Sequence, residues 1–365
     1  MQDTQWMARA LALARKGAGR VSPNPMVGCV IVKDGQVIGE GWHQKYGSLH
    51  AERNAFAACT QDPAGATLYV TLEPCCHWGR TPPCTDAILE HKIARVVVGC
   101  LDPNPLVAGK GVELLRAHGV EVTTGVLEGE CKACNAVFFH YIQTKTPFVV
   151  LKYAMTLDGK IAACTGHSRW VTGETARAHV HQTRNWLSAI LVGVGTVLAD
   201  DPLLTCRMEG GRNPVRIVCD SHLRTPLTSQ LIRTAKEAPT LLAAVERGET
   251  AEELEAAGAE ILLCKEKEGK VDLADLMAKL GARGIDSVLL EGGGELAFSA
   301  LEAGVVHKVQ AYIAPKLVGG RTAKTPLGGA GFPTMDRAVR LEHLTLTRLG
   351  DDILMEGDVP CLPES

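Results

Sequence analysis

The sequence predicts an α/β protein of two domains, and three observations carry that expectation. Its 365 residues exceed the length at which one hydrophobic core keeps growing, so the chain is expected to divide. Extended and helical signals alternate through both halves, the pattern of layered α/β structure. Between the halves, Lys145–Thr146–Pro147 reads as a linker after which a fresh alternation begins. The expected domains are therefore 1–145 and 146–365.

In the first half, Thr4 to Lys16 reads as a helix with Asp3 as its N-cap. VGCVIV (27–32), the turn KDGQ and VIGEGW (37–42) form a hairpin pattern. SLHAERNAFAAC (48–59) is a helix opened by Ser48, ATLYVTL (66–72) a strand, and TPPCTDAILEH (81–91) a helix with proline at its start. ARVVVGC (94–100) is a strand, GVELLRAHG (111–119) a helix ended by Gly119, VEVTTG (120–125) a strand and EGECKACNAVFFHYIQT (128–144) a single helix.

The second half continues with the strand PFVVLKYAM, the helix GETARAHVHQTRNWLS, and the strands AILVGV, PVRIVCDS and TLLAAV. The helix DLADLMAKLGARG, the strand DSVLLEG, the helix GELAFSALEAG, the strand KVQAYIAP and a final strand pair around LTLTRLGDDILMEG complete it.

Bulk properties narrow the function. A net charge of −3 supplies no electrostatic reason for a nucleic-acid partner. No stretch is long and apolar enough to span a bilayer, and MQDTQWMARALALARKG lacks the uninterrupted apolar core of a signal peptide. The 13 cysteines are odd in number and scattered, which points to reduced thiols and a cytoplasmic setting.

Three pieces carry the chemistry: His50–Ala51–Glu52, Pro74–Cys75, and Cys84. A catalytic zinc takes three protein ligands and keeps one open position, and His50, Cys75 and Cys84 match that count with donor types zinc favours. The readings of helix starts put His50 and Cys84 each in a first turn, where the helix dipole stabilises thiolates. Glu52 is then left free as general acid/base, as in zinc nucleobase deaminases with their H-x-E and P-C-x-x-C motifs. The second motif departs here to PCCHWGRTPPC (74–84), which leaves Cys76 and His77 as spare candidates ranked below Cys84. A lone HAE or cysteine would be ordinary surface or core, but their joint occurrence at a hairpin exit, a strand end and a helix start favours the metal.

PNPMVGCVIV (23–32), HAE, TLEPCCHWGRTPPCTDAI (71–88) and DPNPLVAGKG (102–111) resemble the bifunctional riboflavin-biosynthesis deaminase/reductases. The likeness runs on through KYAMTLDGKIA (152–162), SRWVTG (168–173), GVGTVLADDPLLTCR (193–207), VLLEGGG (288–294) and YIAPKLVGG (312–320). It implies a cytidine-deaminase-like three-layer α/β/α domain followed by a dihydrofolate-reductase-like α/β domain. The activities implied are zinc-dependent hydrolytic deamination of 2,5-diamino-6-ribosylamino-4(3H)-pyrimidinone 5′-phosphate, then NADPH-dependent reduction of its ribosyl side chain to ribityl.

The same resemblance suggests that Asn24 contacts substrate, although Pro-Asn-Pro is also good turn chemistry. His43, Arg80, Asp102 and Asn104 are candidates for the ribosyl phosphate, Arg80 by its fork of donors. For the cofactor, matching positions are Ala154, Trp170, Thr196, Asp200, Ser221 and the run Gly293, Gly294, Glu295, Leu296, Ala297, Phe298 and Ser299. For the substrate they are Ser168, Arg184, Leu204, Arg207 and Glu291, with Arg184 and Arg207 as phosphate clamps. Independently, the glycines between strand and helix in SVLLEGGGELAF expose backbone N–H groups to an anion, while Gly193-x-Gly195 is not a full dinucleotide fingerprint. Lys152 and Asp200 are the ionisable groups expected near proton delivery. A homo-oligomer is expected, its subunit number left open.

Two rivals remain at this level. One is a cytidine- or tRNA-type deaminase fused to another domain, disfavoured for tRNA by the charge balance. The other is a zinc-stabilised scaffold, which would need a fourth protein ligand to close the site. Cys131-x-x-Cys134, within one expected helix and without a second pair, reads as packing.

Overall fold

The computed structural model describes residues 3–79 and 81–360; Arg80, one of the expected phosphate contacts, lies outside the described residues. The chain forms two compact units, Met1–Lys145 and Thr146–Ser365.

The first unit runs α1 (Asp3–Ala14), β1 (Gly28–Lys33), β2 (Gln36–Trp42), α2 (Ala51–Ala57), β3 (Thr67–Leu72), α3 (Cys84–Glu90), β4 (Arg95–Cys100), α4 (Lys110–Ala117), β5 (Glu121–Thr124), α5 (Glu128–Cys134) and α6 (Ala136–Thr144). Its sheet has the order β2-β1-β3-β4-β5. β1 is antiparallel to β2 and β3, whereas β3, β4 and β5 are parallel. Side chains alternate across a strand, and here both faces are covered. Cys29, Ile31, Leu68, Val70, Val96 and Val98 pack with Ala51, Ala55, Ile88 and Leu115 of α2, α3 and α4. Val30, Val32, Tyr69 and Val97 turn the other way, onto Met7, Ala10 and Leu11 of α1 and Cys131 of α5. That is the α/β/α sandwich expected. The helix α2 lies so close to β2 that a Cβ at Gly41 would stand 2.3 Å from Ala55 N, so only glycine permits this approach.

Several local readings are corrected. Asp3 is helical rather than a cap, and its carboxylate accepts from Arg95 Nη1 at 3.0 Å, Nη2 at 2.8 Å and Tyr69 Oη at 2.9 Å. Helix α2 begins at Ala51, not Ser48. The Ser48 hydroxyl instead closes a turn onto Lys45 O at 2.6 Å. The expected helix over 128–144 breaks at Asn135. That residue is 2 % exposed, and its side chain accepts from Met26 N at 2.8 Å and donates to Met26 O at 2.9 Å. An amide that satisfies a distant backbone in this way outweighs helix continuity.

The second unit runs β6 (Phe148–Thr156), α7 (Glu174–Trp186), β7 (Ala189–Gly193), α8 (Val194–Asp200), β8 (Val215–Cys219), α9 (Gln230–Arg233), β9 (Thr240–Ala244), α10 (Ala251–Ala256), β10 (Glu260–Leu263), β11 (Glu266–Lys267), β12 (Lys270–Val271), α11 (Leu273–Ala282), β13 (Ser287–Glu291), α12 (Gly294–Glu302), β14 (Lys308–Ala314), β15 (Glu342–Leu349) and β16 (Asp352–Asp358). The short elements α8, α9, α10, β10 and the β11–β12 hairpin went unread in the sequence, being too short to show a period.

Its nine-stranded sheet has the order β10-β9-β8-β7-β13-β6-β14-β16-β15, parallel from β10 to β14 and antiparallel thereafter. One face packs on α11 and α12 through Leu276, Leu280, Ala297 and Leu301. On the other, Ile190, Val192, Val218 and Leu242 meet α8, α9 and α10, and Tyr312 and Leu354 meet α7. The chain starts at β6, proceeds outward through β7 to β10, and returns to insert β13 between β7 and β6. That reversal is a topological switch point, where a crevice opens beyond the strands' carboxyl ends.

Candidate active sites

In the first unit, three strand and helix ends converge. Helix α2 leaves an extended His50 at its N-cap position, so His50 stands one residue before the first turn rather than within it. Cys75 follows β3, and Cys84 is the first residue of α3. The loop from 75 to 84 is closed by Cys84 N and Thr85 N donating to Cys75 O at 3.0 and 3.2 Å. His50 Nδ1 consequently lies 3.4 Å from both Cys75 Sγ and Cys84 Sγ, and the three donor atoms all fall within 4.8 Å of one another. One imidazole and two sulfurs at this spacing suit a zinc ion. Among the described residues, neither Cys76 nor His77 joins this cluster.

The electrostatics favour a cation here. Hydrogen bonds from Cys84 and then His50 draw the Cys75 thiol down to about 4, while its contact with Cys75 and its burial push Cys84 up. A thiol whose proton is loosened in this way suits a metal donor. Glu52, the second residue of α2, is 3 % exposed, and burial raises its carboxyl above the usual range. It makes hydrogen-bond contact with Cys84 rather than adding a fourth donor to the cluster.

Glu52, His50 and Cys75 line a cavity of about 280 Å³ whose walls also include Asn24, His43 and Asp102. Asn24 is therefore brought to the site, its Nδ2 3.2 Å from His43 Nε2, and His43 Nδ1 meets Leu49 O at 3.0 Å. Burial lowers the His43 pKa, keeping that ring neutral. Asn104 and His77 are in the same wall, and His77 Nδ1 is buried without a hydrogen-bond partner among the described residues. Burial, aided by the charge of Glu73, pushes Asp102 up to about 6 against a hydrogen bond from Asn104 N. Glu73 escaped the sequence reading: its buried carboxylate accepts from Asp102 N, Gly109 N and Val112 N at 3.2, 2.9 and 3.1 Å and so fixes this wall.

In the second unit, Glu291 ends β13 opposite Lys152 of β6. Arg184 of α7 reaches down to it, Nε to Oε1 at 2.7 Å and Nη2 to Oε2 at 3.0 Å, and Lys152 Nζ lies 3.2 Å from Oε2. Burial pushes the Glu291 carboxyl up, but the two cations overcome it and hold it at about 2. The polar row extends from Lys152 to Gln310 and Glu356 in register, with Gln310 Nε2 donating to Glu356 at 3.0 Å. Arg184 Nη1 also donates to Thr205 O at 3.0 Å, so three of its five N–H groups meet protein acceptors.

The remaining expected residues fall into two groups. Thr196 on α8 faces the β13–α12 turn, where a Cβ on Gly292 (φ +83°) would stand 3.1 Å from its Oγ1. Gly293 caps α12, whose first turn holds Gly294, Glu295 and Leu296; Ser299 lies further along the helix. Asp200 is exposed one turn beyond Thr196 on α8. Trp170 is 57 % exposed beneath the Arg177 guanidinium, half-buried Ser168 lies two residues before it, and Ala154 pairs with Tyr312 across β6 and β14.

The others make contacts within the protein. Ala297 and Phe298 are core residues. Leu204 is 5 % exposed with φ +53°, its side chain in the core beside α8. The Ser221 hydroxyl accepts from Val271 N at 3.2 Å. Among the described residues no helix is long and apolar enough to cross a membrane.

Residues 1–100 match the cytidine and deoxycytidylate deaminase zinc-binding region, and residues 147–355 match the RibD C-terminal domain. The riboflavin biosynthesis protein RibD of Actinobacillus pleuropneumoniae is 57 % identical over 357 residues, covering 98 % of this chain and 95 % of that protein. That of Aquifex aeolicus is 42 % identical, with 97 % of each chain covered. Among solved structures, Acinetobacter baumannii RibD superposes with a TM-score of 0.86 at 38 % identity and 98 % coverage of both chains. A diaminohydroxyphosphoribosylaminopyrimidine deaminase/5-amino-6-(5-phosphoribosylamino)uracil reductase from Thermotoga maritima gives 0.84 at 40 % identity, covering 98 % of this chain and 99 % of that one. A zinc-type deaminase cluster in one unit and a RibD C-terminal fold in the other, matched together over nearly the whole length, place the chain in the RibD family of bifunctional riboflavin-biosynthesis deaminase/reductases.

Proposed function

We propose that residues 1–145 hydrolyse the 2-amino group of 2,5-diamino-6-ribosylamino-4(3H)-pyrimidinone 5′-phosphate, and that residues 146–365 use NADPH to reduce the ribosyl group of the product to ribityl. The observation that carries the first half is a three-donor cluster with an unligated, buried carboxylate beside it in a cavity. Four protein donors would make a closed structural site; three leave room for chemistry.

His50, Cys75 and Cys84 would hold zinc, which when bound acidifies water and so supplies a nucleophile at neutral pH. Glu52 does the proton work. Its raised affinity for a proton suits a group that moves two protons in turn, one from water to a ring nitrogen and then one from the added hydroxyl group to the departing amine. Asn24 and neutral His43 orient the pyrimidine edge. Asp102 suits a sugar hydroxyl better than a phosphate, because a carboxylate repels one, which leaves Arg80 for the phosphate.

For the reductase, NADPH supplies the hydride. The cradle formed by Thr196, the Gly292–Gly293 turn and the first N–H groups of α12 fits its phosphates, since only glycine leaves the space beside Thr196 open. Trp170, Asp200 and Ala154 are assigned to the cofactor by the resemblance. Glu291, fixed by Arg184 and Lys152, orients substrate hydroxyls, Ser168 and the Leu204 backbone contribute further contacts, and Arg207 takes the phosphate. Lys152 is the group positioned to deliver a proton.

A homo-oligomer is supported by β15, an edge strand with Leu344 57 % and Leu346 72 % exposed. The cysteine usage supports a cytoplasmic setting. Mass spectrometry of products from the purified chain with the diaminopyrimidine tests both halves. A mass gain of one unit without NADPH, then two more with it, is expected; an unchanged substrate would sink the reading.

A further inference from the structure

The loop that carries Arg207 is held by one face of α7. His181, Arg184 and Asn185 stand three and four residues apart, so they share that face. Arg184 Nη1 donates to Thr205 O at 3.0 Å, Cys206 Sγ meets His181 O at 3.4 Å, and Asn185 Oδ1 accepts from Arg212 N at 2.8 Å. Among the described residues, the side chain that hydrogen-bonds Arg207 is His181. Arg207 Nε lies 3.2 Å from His181 Nε2, and Arg207 N lies 3.3 Å from His181 Nδ1.

A guanidinium Nε–H only donates, so the ring nitrogen facing it must accept. A neutral imidazole has one such nitrogen, so of the two Arg207 donors it accepts from Nε in the tautomer protonated at Nδ1 and from the backbone N–H in the other; a protonated ring accepts from neither. His181 is taken in the first tautomer. The surroundings keep the ring neutral. Lys152 from β6, Arg184 from α7 and Arg207 from the loop all oppose its protonation, and Glu291 from β13 is the one group favouring it; burial first, then those cations, lower the His181 pKa to about 4. The same charges make the pocket attractive to an anion: three cations and a neutral acceptor surround one carboxylate. Arg207 is the exposed cation of the three, and the acceptor facing its Nε is His181.

We propose that His181 is a positioning residue of the reductase site, a neutral acceptor that holds the Arg207 guanidinium by its Nε so that its outer nitrogens meet the substrate's phosphate. This rests on the reading of Arg207 as the phosphate contact. It assigns His181 a part in phosphate selectivity, with no contact to the reacting atoms.

The test compares 5-amino-6-(5-phosphoribosylamino)uracil with its dephosphorylated form on the full-length enzyme, with inorganic phosphate as competing anion. His181→Ala should raise KM for the phosphorylated substrate about tenfold, the scale of one lost charge-assisted hydrogen bond, with kcat and the KM of the dephosphorylated form unchanged. Inhibition by inorganic phosphate should weaken in the same ratio. His181→Gln, whose amide oxygen also accepts, should recover most of the loss. An equal rise for both substrates in His181→Ala, or discrimination as strong as in the parent enzyme, overturns the inference. So does His181→Gln behaving as the alanine variant does. If instead the parent enzyme treats the two substrates alike, the underlying reading of Arg207 fails, and the inference with it.

Discussion

The guanidinium of Arg184 meets the carboxylate of Glu291 side on, Nε to Oε1 at 2.7 Å and Nη2 to Oε2 at 3.0 Å, across 107 residues of sequence. Two parallel hydrogen bonds of this kind join charge to fixed geometry. Lys152 adds a second cation to the same carboxylate, and only 11 % of the Glu291 side chain remains exposed. Removing the acid would leave two cations facing each other away from water. Glu291→Gln is expected to cost about 3–5 kcal/mol of unfolding free energy, as for other broken buried pairs. Urea denaturation of the variant measures it, and a loss near zero would show that solvent screens the cluster.

The same residues set the acid side of stability. Glu291 is held at about 2, below the value near 4.3 expected in an unfolded chain. Its contribution is therefore complete above pH ~4 and is lost as the pH falls toward ~2. His181 is also depressed, to about 4, so the unfolded chain takes up its proton first and stability falls between pH ~6.5 and ~4. The two windows follow one another. In unfolding free energy measured against pH, His181→Gln should flatten the upper window and leave the lower one; an unchanged profile would remove His181 from the titration.

Glu52→Gln should reduce ammonia release by at least ~10³-fold, because the amide keeps the shape but cannot carry a proton. Zinc content and reductase turnover should remain at parental levels. Loss of zinc in this variant would mean that Glu52 is a ligand and that the base has been misassigned.

Cys75→Ser and Cys84→Ser should each abolish bound zinc and deamination while sparing reduction, since among the described residues the donors within 4.8 Å of one another number three. Cys76→Ala should retain metal. Elemental analysis of the purified variants decides this, and zinc lost with Cys76 would point to a closed, four-donor site.

Asn135→Ala should destabilise the first unit by about 2–4 kcal/mol, because it strands the buried N–H and C=O of Met26 together. Asn24 lies two residues from Met26, so KM for deamination should rise along with the loss of stability. A variant with unaltered thermal unfolding would show that water replaces the clamp.

Local chemistry explains what was readable. The strand runs ending in Leu72, Cys100 and Glu291 carry long apolar or alternating patterns, and these bury as expected. His50, Glu52, Cys75 and Cys84 were legible because zinc chemistry restricts residue type and spacing within short motifs, although the helix start that carries His50 shifted by three residues, from Ser48 to Ala51. The turn chemistry of Ser48 won there over its capping propensity. Short elements such as α9 and β11 stayed hidden, four and two residues being too few to display a period.

The amino-acid order alone determined the α/β class, the metal donors and the glycine-rich strand–helix turn, because each rests on short motifs whose residue types are restricted by their chemistry. The folded molecule alone decided that Arg184 serves Glu291, that Asn135 breaks a helix to hold Met26, that Glu73 pins the wall bearing Asp102, and that His181 faces Arg207. Three of these four pairings, Arg184 with Glu291, Asn135 with Met26 and Glu73 with Asp102, span from 29 to 109 residues. A buried polar group takes whichever partner the topology brings within 3 Å, and the insertion of β13 between β6 and β7 leaves no mark on the residues nearby in sequence.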